Sequence, residues 1–252
     1  MQSIGYALAG TGFTFLMTVL GAAFVFIFGR KIGEHTERVC LGFAAGVMSA
    51  AAVFSLLLPA IERTRAHGGF AQASVSLGFC LGAGLMLAAD LWLAGRQQGM
   101  EAAKKRRLLM VSAVTLHNIP EGMAVGLAFA AAAHAGGPAL AAAGVLALGI
   151  GVQNLPEGAA VSLPLYQGGL PRGRSFLLGA ASGVVEPLFG LAAVFAAAGV
   201  SSALPLLMAA AAGAMTAVAA SEMLPEAAKD RWGVFCFMAG YVLMMELDVA
   251  LG

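Results

Sequence analysis

Leu116-His117-Asn118-Ile119-Pro120-Glu121-Gly122 lies inside a run, residues 108–133, that is otherwise almost wholly apolar. A near-copy, Val152-Gln153-Asn154-Leu155-Pro156-Glu157-Gly158, follows 36 residues later in a second apolar run. Each copy puts three polar side chains within one helical turn, beside a proline. On a helix, His117 and Glu121 share one face, with Asn118 about 100° round. Gln153, Asn154 and Glu157 repeat that arrangement. A single Asn-x-Pro-Glu would pass for a polar kink. Two copies in neighbouring apolar runs need a chemical reason.

The composition says what surrounds them. Of 252 residues, 60% are hydrophobic and only 11% charged, against roughly 25% charged in soluble domains. Lipid is the natural solvent for such a chain. The net charge of +1 offers nothing to a nucleic acid. Thirty-four glycines suit close helix packing in a membrane. Cys40, Cys80 and Cys236 form no CxxC pair and are expected to be small core residues. The N-terminus has no basic n-region, and its first apolar run is expected to remain as a spanning helix.

Apolar runs of about 20 residues predict eight spans, near 4–29, 39–61, 70–94, 108–132, 138–163, 174–198, 203–225 and 232–251. The connecting segments are short, so residues 1–252 form one helical transmembrane domain. With the N-terminus outside, twelve of the fourteen Lys and Arg residues fall in inside loops. Only Arg63 and Arg65 fall outside. That asymmetry orients the chain with both termini extracytoplasmic. The longest loop, 95–107, is then cytoplasmic, and its basic run anchors the chain at the lipid surface. The fold class is an all-α membrane protein of eight transmembrane helices, with a polar site at the bilayer midplane.

Three glutamates, Glu121, Glu157 and Glu186, fall near the middle of the fourth, fifth and sixth runs. An acidic residue at that depth costs about 2.5–3.5 kcal/mol. No lysine or arginine lies at the same depth to offset it. The missing partner is a cation from outside the chain, or protons. Antiparallel neighbours would bring the two motifs face to face, as in transporters built from inverted repeats. Pro120 and Pro156 cannot donate to the carbonyls of Leu116 and Val152, so both helices are expected to kink there. Gly122 and Gly158 would let the two helices approach closely. One imidazole, three carboxylates and three amides suit Zn²⁺, Fe²⁺, Mn²⁺ or Cd²⁺. No organic cofactor is called for.

These residues resemble the ZIP family of divalent-metal transporters, notably its bacterial members. The likeness rests on HNIPEG, QNLPEG and Glu186 within SGVVEPLFG. LGFAAGVMSAAAVFSLLLPAIE in the second run and SEMLPEA in the seventh add to it. The resemblance implies a binuclear site in mid-membrane. One metal would be held by His117, Glu121, Gln153 and Glu157. The other would be held by Asn118, Glu121, Asn154, Glu157 and Glu186, with Glu121 and Glu157 bridging. Some members carry aspartate where Asn154 stands, so this chain has one charge fewer there. The resemblance further implies a homodimer and an elevator-like movement of one helix bundle. Short loops and alanine-rich spans point to a bacterial inner membrane. Many members have a histidine-rich loop between the third and fourth spans; residues 95–107 here contain no histidine.

Weaker candidates trace a path. Met48, Ser55 and Glu62 recur every seven residues in the second run, with Glu62 at the outer end. Asp90, Met215 and Glu222 lie towards the cytoplasmic side. Glu226 reads as an interfacial charge, and Glu246 and Asp248 have no assigned role. His35, His67 and His134 are expected to be solvated. An intramembrane metal hydrolase with Glu121 as base is the competing enzyme reading, but the chain has no HExxH. A structural or sensory bundle with a bound metal is the third.

Overall fold

The structure, a computed structural model, describes residues 2–28, 33–65, 69–96, 102–132, 137–199 and 203–251. Among them there are helices and turns and no strand. α1 spans Gln2–Ala22 and is followed by the single turn Phe24–Ile27. α2 (Glu34–Ala51) continues through a π-helical stretch, Ala52–Leu57, into Leu58–Arg65. α3 is Gly69–Arg96, α4 is Ala102–Ala132 and α5 is Gly137–Gln167. α6 (Arg172–Ser182) and α7 (Val185–Gly199) are two pieces of one apolar run. α8 (Leu204–Val218) passes through a second π-helical stretch, Ala219–Met223, into Leu224–Ala227, and α9 is Arg231–Leu251.

Seven stretches of the described residues are long and apolar enough to cross a membrane. They coincide with seven of the eight expected runs. α4, which carries the first motif, is not among the seven. It is nonetheless 31 residues long, about 46 Å at 1.5 Å per residue.

Two boundaries differ from expectation. Residues 102–107, expected in a loop, are the first turns of α4. Apolar counting finds the part of a helix that lies in lipid, whereas Ala, Lys, Arg and Leu keep a helix going beyond it. The sixth run was expected to be one helix, but it breaks at Gly183-Val184, with Glu186 in the first turn of α7. By contrast, α4 and α5 run unbroken through Pro120 and Pro156.

The packing explains the glycines. α1 lies along α5, α4 along α7, α2 along α9 and α3 along α8. In lipid there is little hydrophobic drive between helices, so contact depends on backbones approaching closely through small residues. A methyl on Gly122 or Gly126 would strike the backbone of Glu186 or Gly190 on α7. A methyl on Gly158 would strike the backbone of Thr18 on α1. Contrary to expectation, the two motif glycines therefore do not bring α4 and α5 against each other. Each seats its helix on a third one. The motif side chains occupy the α4–α5 seam, so the glycines fall on other faces.

The molecule is apolar outside as well as inside. Leu77, Leu85, Leu91 and Trp92 of α3 and Phe235 and Val249 of α9 are exposed, as a lipid-facing surface would be. Because the environment is apolar on both sides, an apolar run does not distinguish core from lipid. The cysteines illustrate this: expected in the core, Cys40 and Cys236 are only partly buried and Cys80 is exposed. His35 is exposed, as expected, but pairs with Asp230. That contact, with the backbone N–H of Trp232, holds the Asp230 carboxyl below its ordinary range. Arg38 joins the same end of the fold to Glu34 and Glu226. His67 and His134 lie outside the described residues.

Replacing Gly126 with valine should loosen the α4–α7 seam and lower the thermal unfolding midpoint in detergent by several degrees. Gly144→Ala, whose methyl would meet nothing within 4 Å, should leave it unchanged. Equal midpoints for the two variants would contradict this packing.

Candidate metal centre

The two motifs and Glu186 converge, and all seven side chains are buried. Asn118, Glu121, Gln153, Asn154 and Glu186 are at most 1% exposed, Glu157 5% and His117 7%. α4 supplies His117, Asn118 and Glu121 from one turn. α5 supplies Gln153, Asn154 and Glu157 from the facing turn, and the start of α7 supplies Glu186. A carboxylate in the first turn of a helix sits at the positive end of its dipole.

The amides organise the acids. Gln153 Nε2 donates to Glu121 Oε1 and, at 3.2 Å, to Glu157 Oε1. Asn154 Nδ2 donates to Glu186 Oε2 at 2.8 Å and to the Thr14 carbonyl at 3.3 Å. Asn118 Nδ2 donates to the Ser182 carbonyl at 3.0 Å. An amide nitrogen is a donor and its oxygen an acceptor. With every amide nitrogen committed to an acceptor, each amide oxygen is turned the other way.

What is left over has one chemical character. Asn118 Oδ1, Glu121 Oε2, Gln153 Oε1, Asn154 Oδ1 and Glu157 Oε2 are buried without a hydrogen-bond partner. His117 Nε2 joins them; it lies 3.2 Å from Glu222 Oε1 but is not aligned for a hydrogen bond. Buried polar groups are nearly always satisfied, and each one left unmatched costs about 1–3 kcal/mol. The three amide oxygens can only accept, the two carboxylate oxygens only accept when ionised, and a neutral imidazole nitrogen can accept too. Only a cation or a proton donor matches such a set. Among the described residues no three His, Cys, Asp or Glu side chains group closely enough to hold a metal by themselves. The amides stand between the acids, so a cage here would have to include amide oxygens.

The path candidates divide. Glu222 Oε1 lies 3.2 Å from His117 Nε2, and Asp90 stands close to Glu222, so these two adjoin the centre. Glu222 stands in the second π-helical stretch and Ser55 in the first. Such turns redirect side chains and recur at functional positions; nothing in the residue pattern announces them. Ser55 and Glu62 line a cavity of about 450 Å³ together with Asp248. Ser55 Oγ donates to Asp248 Oδ1 at 2.6 Å. Asp248, without a role in the sequence reading, thus belongs with the Glu62 group. Met48 and Met215 are fully buried in the apolar core. Sequence reasoning also missed α1, where Thr18 donates to Glu186 Oε1 at 3.0 Å. The only signal was the spacing Thr11, Thr14, Thr18 in an otherwise apolar run.

The chain has clear relatives. The family model described as ZIP Zinc transporter matches residues 94–248. The zinc transporter ZIPB of Bordetella bronchiseptica is 41% identical, over 99% of this chain and 82% of that protein. The zinc transporter GufA of Myxococcus xanthus is 37% identical over 97% of this chain and 96% of its own length. The zinc transporter ZIP11 of Homo sapiens is 33% identical, over 100% of this chain and 98% of that protein. Family model and full-length relatives agree with the paired Asn-x-Pro-Glu motifs: the chain belongs to the ZIP family of zinc transporters.

Proposed function

We propose that this chain carries zinc across a membrane into the cytoplasm through the buried centre between α4, α5 and α7. The observation that carries this reading is the set of five buried, unpartnered side-chain oxygens on Asn118, Glu121, Gln153, Asn154 and Glu157, with His117 Nε2 beside them. They suit a divalent cation that has shed its water. The relatives' names as zinc transporters favour zinc among the ions such a set accepts. Iron, manganese and cadmium are further cargo of the same chemistry. The primary position takes His117, Glu121, Gln153 and Glu157. A second position adds Asn118, Asn154 and Glu186, with Glu121 and Glu157 bridging. Only the first has an imidazole, so the two differ in affinity.

In this reading α4 is the eighth span, both termini face outward, and the site lies at the midplane of the bacterial inner membrane. The distribution of Lys and Arg supports that orientation. The Ser55–Glu62–Asp248 cavity is the outer vestibule, and Asp90 with Glu222 receives the ion on the inner side. Met48 and Met215 wall the passage between them. The centre belongs to α1, α4, α5 and α6–α7, whereas α2, α3, α8 and α9 pack chiefly on one another. Movement of the first group against the second would open the site to each side in turn, in an elevator-like exchange. The protein works as a homodimer.

Reconstitution in liposomes tests this. Glu121→Ala or His117→Ala, correctly inserted, should cut radioactive zinc uptake by at least roughly tenfold, since loss even of an outer-shell partner costs 10–100-fold in metal affinity or activity. Normal uptake in Glu121→Ala would sink the assignment.

Acid on the entry side should slow uptake. Protons compete for the same carboxylate and imidazole atoms, so the bound cation is favoured at higher pH and displaced as pH falls. Flux that rises in acid would instead indicate proton coupling.

Glu222→Gln should lower the maximal rate several-fold with the variant still folded, measured as initial uptake at saturating zinc. An unchanged rate would remove Glu222 from the path.

A further inference from the structure

α1 contributes none of the candidate ligands, yet it borders the centre with a row of buried hydroxyls. Thr11, Thr14 and Thr18 are at most 1% exposed and stand three and four residues apart, on one helix face. Thr11 Oγ1 donates to the Ala7 carbonyl at 2.7 Å, within its own helix. Such back-bonding is the ordinary way to bury a threonine. Thr14 Oγ1 donates to the Thr11 carbonyl at 3.0 Å and lies within reach of the Glu186 carboxylate. Thr18 Oγ1 is closer to Glu186 Oε1, at 3.0 Å, than to the carbonyl of Thr14, at 3.3 Å.

The contact matters because of what Glu186 does next. Its other oxygen accepts from Asn154 Nδ2 at 2.8 Å, while the Thr14 carbonyl takes that nitrogen's second hydrogen at 3.3 Å. Both donors of the Asn154 amide are thereby used, and Oδ1 is left as one of the unpartnered buried acceptors. Glu186 is the one member of the seven-residue set with no unpartnered side-chain atom. Each of its neighbours has an unpartnered atom, whereas both Glu186 oxygens are engaged, one by Thr18 and one by Asn154.

A glycine keeps the space open. A methyl on Gly183 would stand 2.9 Å from Thr18 Cβ and 3.1 Å from Glu186 Oε1. It would wedge between the hydroxyl's base and the carboxylate. The backbone there is ordinary, with φ −83° and ψ −12°, so alanine brings no dihedral strain.

We propose that Thr18 is a positioning residue for metal transport: its hydroxyl seats Glu186, Glu186 orients the Asn154 amide, and Asn154 Oδ1 is thereby aimed at the ion. This rests on the metal-site reading above. It acts on how well the ion is held, so it belongs in KM and not in the maximal rate.

The test is the initial rate of zinc uptake by the full chain in proteoliposomes, over a range of zinc concentrations. Thr18→Val keeps the shape and removes the hydroxyl. It should raise KM roughly tenfold, the scale of one hydrogen bond to a charged group, with the maximal rate within about twofold of the parent. Thr18→Ser should restore KM. Gly183→Ala should raise KM as Thr18→Val does, and decides the matter if the valine variant fails to assemble. Thr11→Val removes a comparably buried hydroxyl that bonds the Ala7 carbonyl within its own helix, and should leave KM unchanged. A parental KM in Thr18→Val or Gly183→Ala would overturn the proposal. So would a serine variant as weak as valine, or a Thr11→Val variant equally weakened. Glu121→Ala, run alongside, separates the two readings. If it transports normally, the metal site itself is wrong. If it is inactive while Thr18→Val matches the parent, only the role of Thr18 falls.

Discussion

Three fully or almost fully buried carboxylates with no lysine or arginine paired to them are the constraint on which the rest of this structure depends. The ion pairs of the described residues do not include Glu121, Glu157 or Glu186. Burying such groups is tolerable only if every remaining lone pair finds something positive. The protein supplies part of that through amide nitrogens and a threonine hydroxyl, each aimed at one carboxylate oxygen. It leaves the other oxygens of Glu121 and Glu157 unmatched. A permanently bound ion would call for a closed cage of strong ligands. Here the acids are diluted by amides, which suits a site that must also release.

That arrangement depends on backbone distance. Side chains as short as asparagine and threonine can meet across helices only if the helices nearly touch. Gly158 against Thr18 and Gly122 against Glu186 provide that closeness at the level of the centre. The same contacts bind α1, α4, α5 and α7 into one body around the acids. The break between α6 and α7 has a related function. It places Glu186 in a first helical turn, where the dipole favours its charge, and puts Gly183 beside it.

Much of the centre was legible because lipid makes polar residues conspicuous. In a chain with 11% charged residues, an acid in mid-run has few innocent explanations. His117, Asn118, Glu121 and their counterparts could be picked out by depth and spacing alone. The same solvent hides other things. Cys40, Cys80 and Cys236 showed that an apolar run has no inside or outside of its own. The threonines of α1 were overlooked because a threonine can satisfy its hydroxyl on its own helix, as Thr11 does. Only the neighbour across the gap distinguishes Thr18.

The sequence alone determined the helical class, most of the spans, the paired motifs and the type of ion they suit, because these follow from hydropathy, spacing and ligand chemistry, which are local. The tertiary structure alone decided which helices the motif glycines press against, where the sixth run breaks, and where the two π-helical stretches fall. It also decided which lone pairs are satisfied and which are left over. Each of those depends on atoms brought together from distant parts of the chain, and the distance from Thr18 to Glu186 is not written in the spacing of either residue from its own neighbours.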